Sequence, residues 1–94
     1  MFEIEATEDG RIRLSGRLDA SQVERARAVL ATLSHSCTLD FSELEYISSL
    51  GLGVLLEAQK RLGETGCRLE VTNLSDHIDD LFRLAGFDQI FDVK

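Results

Sequence analysis

Hydrophobic and polar residues alternate near the start of the chain, which is the pattern of half-buried strands. Apolar residues occupy every second position in residues 2–6 and again in residues 12–14, so we predict two strands that each bury one face. A two-residue loop between them would oppose apolar with polar side chains, whereas a three-residue loop at residues 8–10, with Gly10 in the left-handed conformation, avoids this. The predicted hairpin pairs Ile4 with Leu14, Glu5 with Arg13 and Ala6 with Ile12.

A helical spacing of apolar residues follows the hairpin. Ser21 and Glu24 have the spacing of a capping box. The apolar positions after them recur every three or four residues, at Val23, Ala26, Leu30 and Leu33. We predict a first helix here, ended by the segment SHSC. The apolar run Cys37–Phe41 then predicts a buried strand with Asp40 near its end.

The stretch YISSLGLGVLLEAQKRL predicts a second helix, for which either Ser48 or Ser49 can act as the N-cap. Its apolar stripe is expected to consist of Leu52, Leu55, Leu56 and Leu62. Glu57 is spaced to pair with Lys60 and Arg61 on the outer face.

Another strand and a third helix follow. Gly66 closes the turn that follows the second helix, and CRLEVTN alternates as a strand. Ser75 or Asp76 can cap the third helix, and Gly86 is expected to end it. Its predicted inward side chains are Ile78, Leu81, Phe82 and Ala85. A short last strand is predicted at residues 90–93.

The predicted order is β-β-α-β-α-β-α-β in one domain that spans residues 1–94. We expect an α/β fold with α+β character: a mixed sheet of four to five strands, an opening antiparallel hairpin, three to four helices, and later strands joined in parallel by right-handed crossovers. Functional surfaces of such sheets gather beyond the carboxyl ends of the strands, where Asp40 and the Ser48–Ser49 loop are expected.

Charge and composition exclude several classes of function. The net charge is −7, and no Lys or Arg lies between Ala28 and Gln59, which argues against binding to a phosphate backbone and so against a nucleic-acid partner. Cys37 and Cys67, like His35 and His77, lie outside any metal-ligand spacing, so we expect reduced thiols, no metal and no cofactor. Neither a leader pattern nor a membrane-spanning run is present, and we expect a cytoplasmic protein without membrane insertion.

The two glycines after the serines need an explanation, because each costs about 1 kcal/mol in a helix relative to alanine. One interpretation is structural, with one serine acting as the helix cap and nothing more. The other is that Gly51 and Gly53 expose backbone N–H groups at the positive end of the helix, where an anion such as a phosphate on Ser49 would fit. Added charge on this acidic surface would then repel a docked partner.

These segments together resemble the STAS domain family, the fold of anti-sigma factor antagonists and of the cytoplasmic tails of sulphate transporters. The resemblance rests on GRLDASQVERA, LDFSELEYISSLGLGVLLEAQKRL and LFRLAGFDQIF. The family pattern has a strand, an Asp, a short loop, then Asp-Ser, a small residue and Gly-Leu, with the serine phosphorylated in antagonists. The resemblance matches Asp19 to the Asp before the first helix, Asp40 to the strand-end Asp, Ser49 to the phosphorylated serine, and Gly51 and Leu52 to the Gly-Leu pair.

Two positions depart from that pattern. Ser48 stands where the family often has Asp, which bears on recognition by a kinase and leaves Ser48 as the alternative phosphorylation site. Leu50 stands where a small residue is usual, and it is either a partner contact or a core residue. The predicted partner-binding set is Asp19, Asp40, Ser48, Ser49, Leu50, Gly51, Leu52 and Gly53.

The resemblance implies a regulatory module that binds an anti-sigma factor of the serine-kinase type while Ser49 is unphosphorylated, with a phosphoserine phosphatase as a further partner. The alternative is a STAS adaptor subunit of a lipid-transport ATPase complex, which would dock without a phosphate. An enzyme is disfavoured because Ser49 lies outside a G-x-S-x-G elbow, and GLG lacks the GK[ST] ending of a P-loop.

Overall fold

Five strands and three α-helices form in the predicted order. The computed structural model describes all residues from Met1 to Lys94. The elements are β1 (Phe2–Ala6), β2 (Ile12–Leu18), α1 (Val23–Leu30), β3 (Cys37–Ile47), α2 (Ser49–Gly63), β4 (Leu69–Thr72), α3 (Asp76–Leu84) and β5 (Asp92–Val93), with short 3₁₀ turns at Ala20–Gln22 and Phe87–Gln89.

The opening hairpin has the predicted register. Ile4 lies opposite Leu14, Glu5 opposite Arg13 and Ala6 opposite Ile12. The N–H of Thr7 donates to the carbonyl of Arg11 at 2.8 Å, and Gly10 has a φ of 86°. Both the three-residue loop and the left-handed glycine are therefore confirmed.

The sheet order is β1-β2-β3-β4-β5, with β1 antiparallel to β2 and every later pair parallel. Crossovers between parallel strands are right-handed as a rule, and with this strand order the rule places all three helices on the same face of the sheet. The buried side chains accordingly form one core cluster of 22 residues. The predicted mixed sheet is confirmed.

β3 is longer than predicted, since it continues past Phe41 to Ile47. Its alternation is interrupted because the register with β2 shifts twice, once between Arg13 and Ser15 and again between Gly16 and Arg17. Each shift adds a residue on the β3 side, as a β-bulge does. The bulges break the two-residue period, and this is why the sequence pattern ended the strand too early.

The start of the first helix also differs from the prediction. Asp19 caps the 3₁₀ turn by accepting from the N–H of Ser21 at 3.1 Å and from its hydroxyl at 2.6 Å. α1 begins at Val23, and its N-cap residue Gln22 makes no capping hydrogen bond with its side chain. The predicted Ser21–Glu24 capping box is wrong because the Asp19 carboxylate, directly after β2, engages the Ser21 hydroxyl.

The buried face of α2 is rotated relative to the predicted leucine stripe. Leu55 and Leu62 are buried as predicted, but Leu52 and Leu56 are only half-buried. The rest of the buried face consists of Gly51, Val54 and Ala58. Small residues on this face let the helix lie close to the sheet, a role that a search for large apolar residues misses.

Glu57 pairs across helices instead of along α2. Its two carboxylate oxygens accept from Nε and Nη2 of Arg27 in α1, at 3.0 and 3.2 Å. Arg61, the other predicted partner, donates from Nη2 to the carbonyl of Leu30 at 2.8 Å. The prediction of a Glu57 pair with Lys60 and Arg61 is wrong because α1 supplies a forked donor facing Glu57. Such exposed pairs contribute about 0 to 1 kcal/mol each.

α3 closes the far side of the core. Ser75 is its N-cap, accepting from the N–H of Ile78 at 3.2 Å, and Gly86 follows its end with a φ of 77°. Ile78 and Phe82 are buried, Leu81 is half-buried, and Ala85, predicted to face inward, is exposed because it lies past the last helical residue. β5 is shorter than predicted and begins at Asp92.

Asp40 ties three strands together from within β3. The residue is 7% exposed, lies opposite Arg13 of β2 and Thr72 of β4, and accepts from the N–H of Ser42 at 2.9 Å and from Nδ2 of Asn73 at 3.1 Å. Burial alone would raise the pKa of Asp40. The hydrogen bonds from Ser42 and Asn73, with the charge of Arg13, outweigh that effect and lower the pKa below its ordinary value.

We therefore predict that Asp40→Asn destabilises the fold by about 1 to 3 kcal/mol at pH 7. Its Oδ1 could still accept from Ser42 and Asn73, but an NH₂ group would replace the Oδ2 that lies 3.7 Å from Nε of Arg13. Because the pKa of Asp40 is lower in the folded protein, its carboxylate stabilises the fold at pH values above its unfolded pKa of about 3.9. This contribution to the free energy of unfolding is lost as the pH falls through the folded pKa. Urea unfolding at pH 7 and near pH 3 should show the difference between wild type and variant shrinking in acid. Asp80→Asn, at an exposed carboxylate, is the control; an equal loss there would contradict the prediction.

A second prediction concerns the loss of stability caused by adding a side chain at Gly51. A Cβ atom at this position would lie 2.9 Å from both Ile47 Cγ1 and Leu18 Cγ, inside a packed core. We expect Gly51→Ala to lower the free energy of unfolding by about 1 to 3 kcal/mol despite the better helix propensity of alanine. Gly63→Ala, which meets open space at the other end of the helix, should not destabilise. Urea or thermal unfolding of both variants measures the difference. An unchanged free energy of unfolding in Gly51→Ala would refute the prediction.

Candidate functional site

Parallel pairing of β2 with β3 brings two predicted site residues together. Leu18 and Ile47, the last residues of the two strands, lie opposite each other. The N–H of Ser48 donates to the carbonyl of Leu18 at 2.9 Å, so Asp19 and Ser48 leave the sheet side by side. The start of α2 is thereby fixed beside the 3₁₀ turn that Asp19 caps.

The two serines have different roles in the fold. Ser48 is the N-cap of α2: its backbone is extended, with φ −84° and ψ 169°, and its hydroxyl accepts from the N–H of Gly51 at 3.1 Å. Its carbonyl accepts from the N–H of Leu52 at 2.9 Å. Ser49, the first helical residue, is exposed, and its hydroxyl makes no hydrogen bond. Of the two candidates, Ser49 alone presents a free hydroxyl.

Leu50 is exposed rather than buried. Its exposed fraction is 58%, among the largest of any apolar residue in the chain. The interpretation as a core residue is wrong, because the side chain does not turn into the core; the partner contact stays a prediction. An apolar side chain held in solvent next to Ser49 is available for contact with another molecule.

The glycine pair divides into two different cases. Gly51 is buried against Leu18 and Ile47, and its N–H is already bonded to Ser48. The prediction that its N–H is available to an anion is wrong, because packing against the sheet explains this glycine. Gly53 is exposed, and a Cβ there would meet no atom within 4 Å. It lies beyond the first turn, where N–H groups bond within the helix.

Free donors nevertheless remain at the start of the helix. The N–H groups of Ser49 and Leu50 have no acceptor in the protein, as expected for the first turn of a helix whose cap satisfies only one of them. The helix dipole is positive at this end. No Lys or Arg lies in the first two turns of α2, so within these turns the positive potential comes from the backbone.

Asp19 provides a fixed negative charge beside this helix start. The hydrogen bond from the Ser21 hydroxyl lowers the pKa of Asp19, with further contributions from the backbone of Ser21 and the charge of Arg17. The carboxylate is therefore ionised at neutral pH. A cation approaching the start of α2 from outside would meet this charge.

The nearest cation in the two strands is engaged elsewhere. Arg17 stacks its guanidinium on the ring of Tyr46, with 4.4 Å between Cζ and the ring centroid. The two residues are paired across β2 and β3. Each lies one position before the last residue of its strand and so two positions before Asp19 or Ser48. Our sequence analysis missed this contact; the shared distance of two residues from Asp19 and from Ser48 was the signal that could have revealed it.

Asp40 does not belong to this group. Seven residues of β3 separate it from Ser48, a distance on the order of 20 Å along an extended strand. The prediction that Asp40 lies beyond the carboxyl end of its strand is wrong because β3 continues far past it, whereas Ser48 and Ser49 do follow the end of β3. The candidate site therefore consists of Asp19, Ser48, Ser49, Leu50 and Gly53, with Gly51 and Leu52 packed beneath them.

The structure places neither His35 nor a metal-binding group of side chains at Ser49. His35 precedes β3 and so lies at its amino end, whereas Ser49 follows its carboxyl end. No group of three or more His, Cys, Asp and Glu side chains is placed to hold a metal ion. The longest helix has 15 residues, and none of the helices is long and apolar enough to cross a bilayer.

Comparisons with known proteins bear on the family and the fold of this chain. A family model described as "Mlab, STAS domain" matches residues 2–92. BtrV of Bordetella bronchiseptica, named as an anti-sigma factor antagonist, is 33% identical in an alignment of 84 residues that covers 85% of this chain and 72% of BtrV. The anti-sigma-B factor antagonist of Listeria monocytogenes is 29% identical over 88% of this chain and 76% of its own length.

Solved structures agree with the fold. The unphosphorylated form of the anti-sigma factor antagonist SpoIIAA superposes with a TM-score of 0.78 at 22% identity, covering 100% of this chain and 88% of SpoIIAA. An anti-sigma factor antagonist from Mycobacterium paratuberculosis gives a TM-score of 0.81 at 20% identity, covering 99% of this chain and 83% of the other. From its family match over nearly every residue, the chain belongs to the STAS domain family.

Proposed function

We propose that this protein is an anti-sigma factor antagonist, a regulatory binding module without an enzymatic activity of its own. It binds an anti-sigma factor through the start of α2 and so regulates transcription. The observation that carries the proposal is the free, exposed hydroxyl of Ser49 beside the exposed side chain of Leu50. Support comes from relatives named as anti-sigma factor antagonists that match 85% or more of this chain.

The partner in this proposal is an anti-sigma factor of the serine-kinase type, and Ser49 is its phosphorylation target. Ser48 is the weaker candidate, since its hydroxyl is occupied as the helix cap. A phosphatase acting on phosphoserine would restore the binding form. All of these proteins would meet in the cytoplasm, without contact to nucleic acid or insertion into a membrane.

Phosphorylation of Ser49 would end the contact through charge and solvation. A phosphoserine adds about −1.5 to −2 of charge, next to the ionised Asp19 and with Arg17 stacked on Tyr46. A partner docked on Leu50 would then have to desolvate the phosphate and face a more negative surface. The domain itself should stay folded, because the free N–H groups and the helix dipole favour a negative charge at this position.

The second candidate function is an adaptor subunit of a lipid-transport ATPase complex. One observation favours it: Leu50 and Gly53 present an apolar, open surface that could dock on a partner without any phosphate. In that case Ser49 would be one more surface residue, and its substitution would leave docking intact.

Affinity purification from the native cells, followed by tandem mass spectrometry, separates the two candidates. Phosphate on Ser49 together with a co-purifying soluble anti-sigma factor kinase supports the antagonist. An unmodified Ser49 with a membrane transporter's ATPase subunit supports the adaptor and overturns the first proposal.

For the antagonist we predict opposite behaviour of two Ser49 variants. Ser49→Asp should weaken binding to the anti-sigma factor at least tenfold, since it places a negative charge beside Leu50 and Asp19, whereas Ser49→Ala should bind as wild type but accept no phosphate. Isothermal titration calorimetry measures the binding, and a kinase assay with ATP measures the phosphate transfer.

Ser48→Ala is the matched control for these variants. It should lose about 1 kcal/mol of stability with the helix cap and still be phosphorylated at Ser49. Equal binding by wild type and Ser49→Asp, or phosphate that disappears only in Ser48→Ala, would refute the assignment of Ser49.

A further inference from the structure

A small apolar cavity lies between α1 and α2. Its volume is about 210 Å³, and its apolar lining consists of Leu30, Ala31, Val54 and Ala58. Leu30, Val54 and Ala58 are buried and form its floor, whereas Ala31 is exposed at its edge. The two alanines have side chains too short to fill the space between the helices. Since a cavity of about 150 Å³ is enough to hold benzene, this one has room for a ring or a short alkyl chain.

The polar rim of the cavity is formed by Arg27, Glu57 and Arg61. Arg27 and Glu57 neutralise each other, because two hydrogen bonds of 3.0 and 3.2 Å join the guanidinium to the carboxylate. Arg27 also contacts the carboxylate of Glu24. Neither charge of this pair therefore needs a ligand.

Arg61 differs from every other arginine of this acidic chain. Each of the other seven lies against a carboxylate or, for Arg17, against an aromatic ring. Arg61 has neither: its Nη2 donates to the carbonyl of Leu30 at 2.8 Å, and its remaining N–H groups have no acceptor in the protein. Because Leu30 itself lines the cavity, this hydrogen bond holds an unpaired positive charge with free donors at the edge of an apolar space.

We infer that this cavity binds a small molecule with an apolar body and a single carboxylate. The apolar body lies against Leu30, Val54 and Ala58 and removes water from the floor of the cavity. The carboxylate accepts from the free N–H groups of Arg61, whose planar, forked guanidinium matches the two oxygens of a carboxylate.

Charge and size restrict the ligand to this class. A phosphate monoester carries about −1.5 to −2 of charge at pH 7. Only one unpaired cation faces the cavity, and it lies beside Glu57 in a chain of net charge −7, so a single negative charge fits better than two. A helix of a partner protein is about 10 Å across and is too wide for a space of about 210 Å³.

This site is separate from the surface assigned to the proposed function. None of the lining residues belongs to the candidate site at the start of α2. Arg61 follows Ser49 by twelve residues in α2, which is about 18 Å along a helix. Binding of the small molecule is therefore measurable on the purified protein without an anti-sigma factor.

Octanoate is the probe for this site, because it joins a short alkyl chain to one carboxylate. Titration of the ¹⁵N-labelled protein, followed by two-dimensional NMR, should give saturable shifts of the amides of Ala31, Val54 and Ala58, with a Kd of about 1 mM or lower. Octanol has the chain without the charge, and acetate has the charge without the chain. Each should bind at least about tenfold more weakly than octanoate.

Three variants test the contacts one at a time. Arg61→Gln keeps a donor for the Leu30 carbonyl but loses the charge, so it should weaken octanoate binding about tenfold and leave octanol binding within about twofold of wild type. Lys60→Gln is the matched control, since it removes the same charge from a neighbour that does not line the cavity; it should bind octanoate as wild type does. Ala31→Leu fills the cavity from its exposed edge and should weaken octanoate and octanol alike.

Several results would overturn the inference. They are the absence of a saturable shift up to about 10 mM octanoate, shifts that centre on Ser49 or another surface, and equal losses in Arg61→Gln and Lys60→Gln. Thermal unfolding without ligand shows whether each variant is folded. If Arg61→Gln is not, Ala31→Leu still decides, because octanoate binding equal to wild type in that variant contradicts the site. None of these results bears on the proposed function.

Discussion

Parallel pairing between the ends of β2 and β3 is the constraint on which the candidate functional surface depends. Leu18 and Ile47 lie opposite each other and are both buried, and the hydrogen bond from Ser48 to Leu18 transfers that register to the start of α2. A slip of one residue would turn Leu18 and Ile47 toward solvent. It would also separate Asp19 from Ser48. The core therefore fixes the site, although no site side chain contributes much to the core.

Gly51 is the residue through which α2 packs against Leu18 and Ile47. Because it has no side chain, the first turn of α2 can rest on Leu18 and Ile47, and the free hydroxyl of Ser49 is held outward as a result. Ser48 completes this arrangement by capping the helix from the sheet side. Three residues close together in the chain thus have distinct roles. Ser48 caps the helix, Ser49 presents a hydroxyl to solvent, and Gly51 lets the helix contact the sheet.

Much of the fold could be predicted from sequence where a periodic pattern met a clear turn signal. The hairpin register followed from the alternation in β1 and β2 and from Gly10, and the element order followed from the change between two-residue and helical periods. The sequence-based predictions of strand length, helix cap and ion pair failed where contacts between distant parts of the chain determine the structure. The β-bulges hid the second half of β3, the Asp19 carboxylate replaced the Ser21–Glu24 cap, and Arg27 in α1 drew Glu57 away from Lys60 and Arg61.

The sequence could propose a candidate site at the start of α2 but not the separate role of each residue in it. Two serines and two glycines in one short segment pointed to the start of α2, yet the sequence alone could not say which serine caps or which glycine is buried. Those distinctions depend on Leu18 and Ile47, one of which lies in a distant part of the chain. Asp40 was misplaced for the same reason, since its position depended on how far β3 continues.

The length of β3 separates the two ends of the molecule. β4 pairs with β3 only over Cys37–Asp40, while the aromatic cluster of Phe41, Phe82, Phe87 and Phe91 is packed by α3 near that end. Ser49 lies past the opposite end, on the order of 20 Å further along the strand. A phosphate added to Ser49 would therefore lie far from the aromatic core. The proposed modification could then be added and removed many times without any change in the packing of that core.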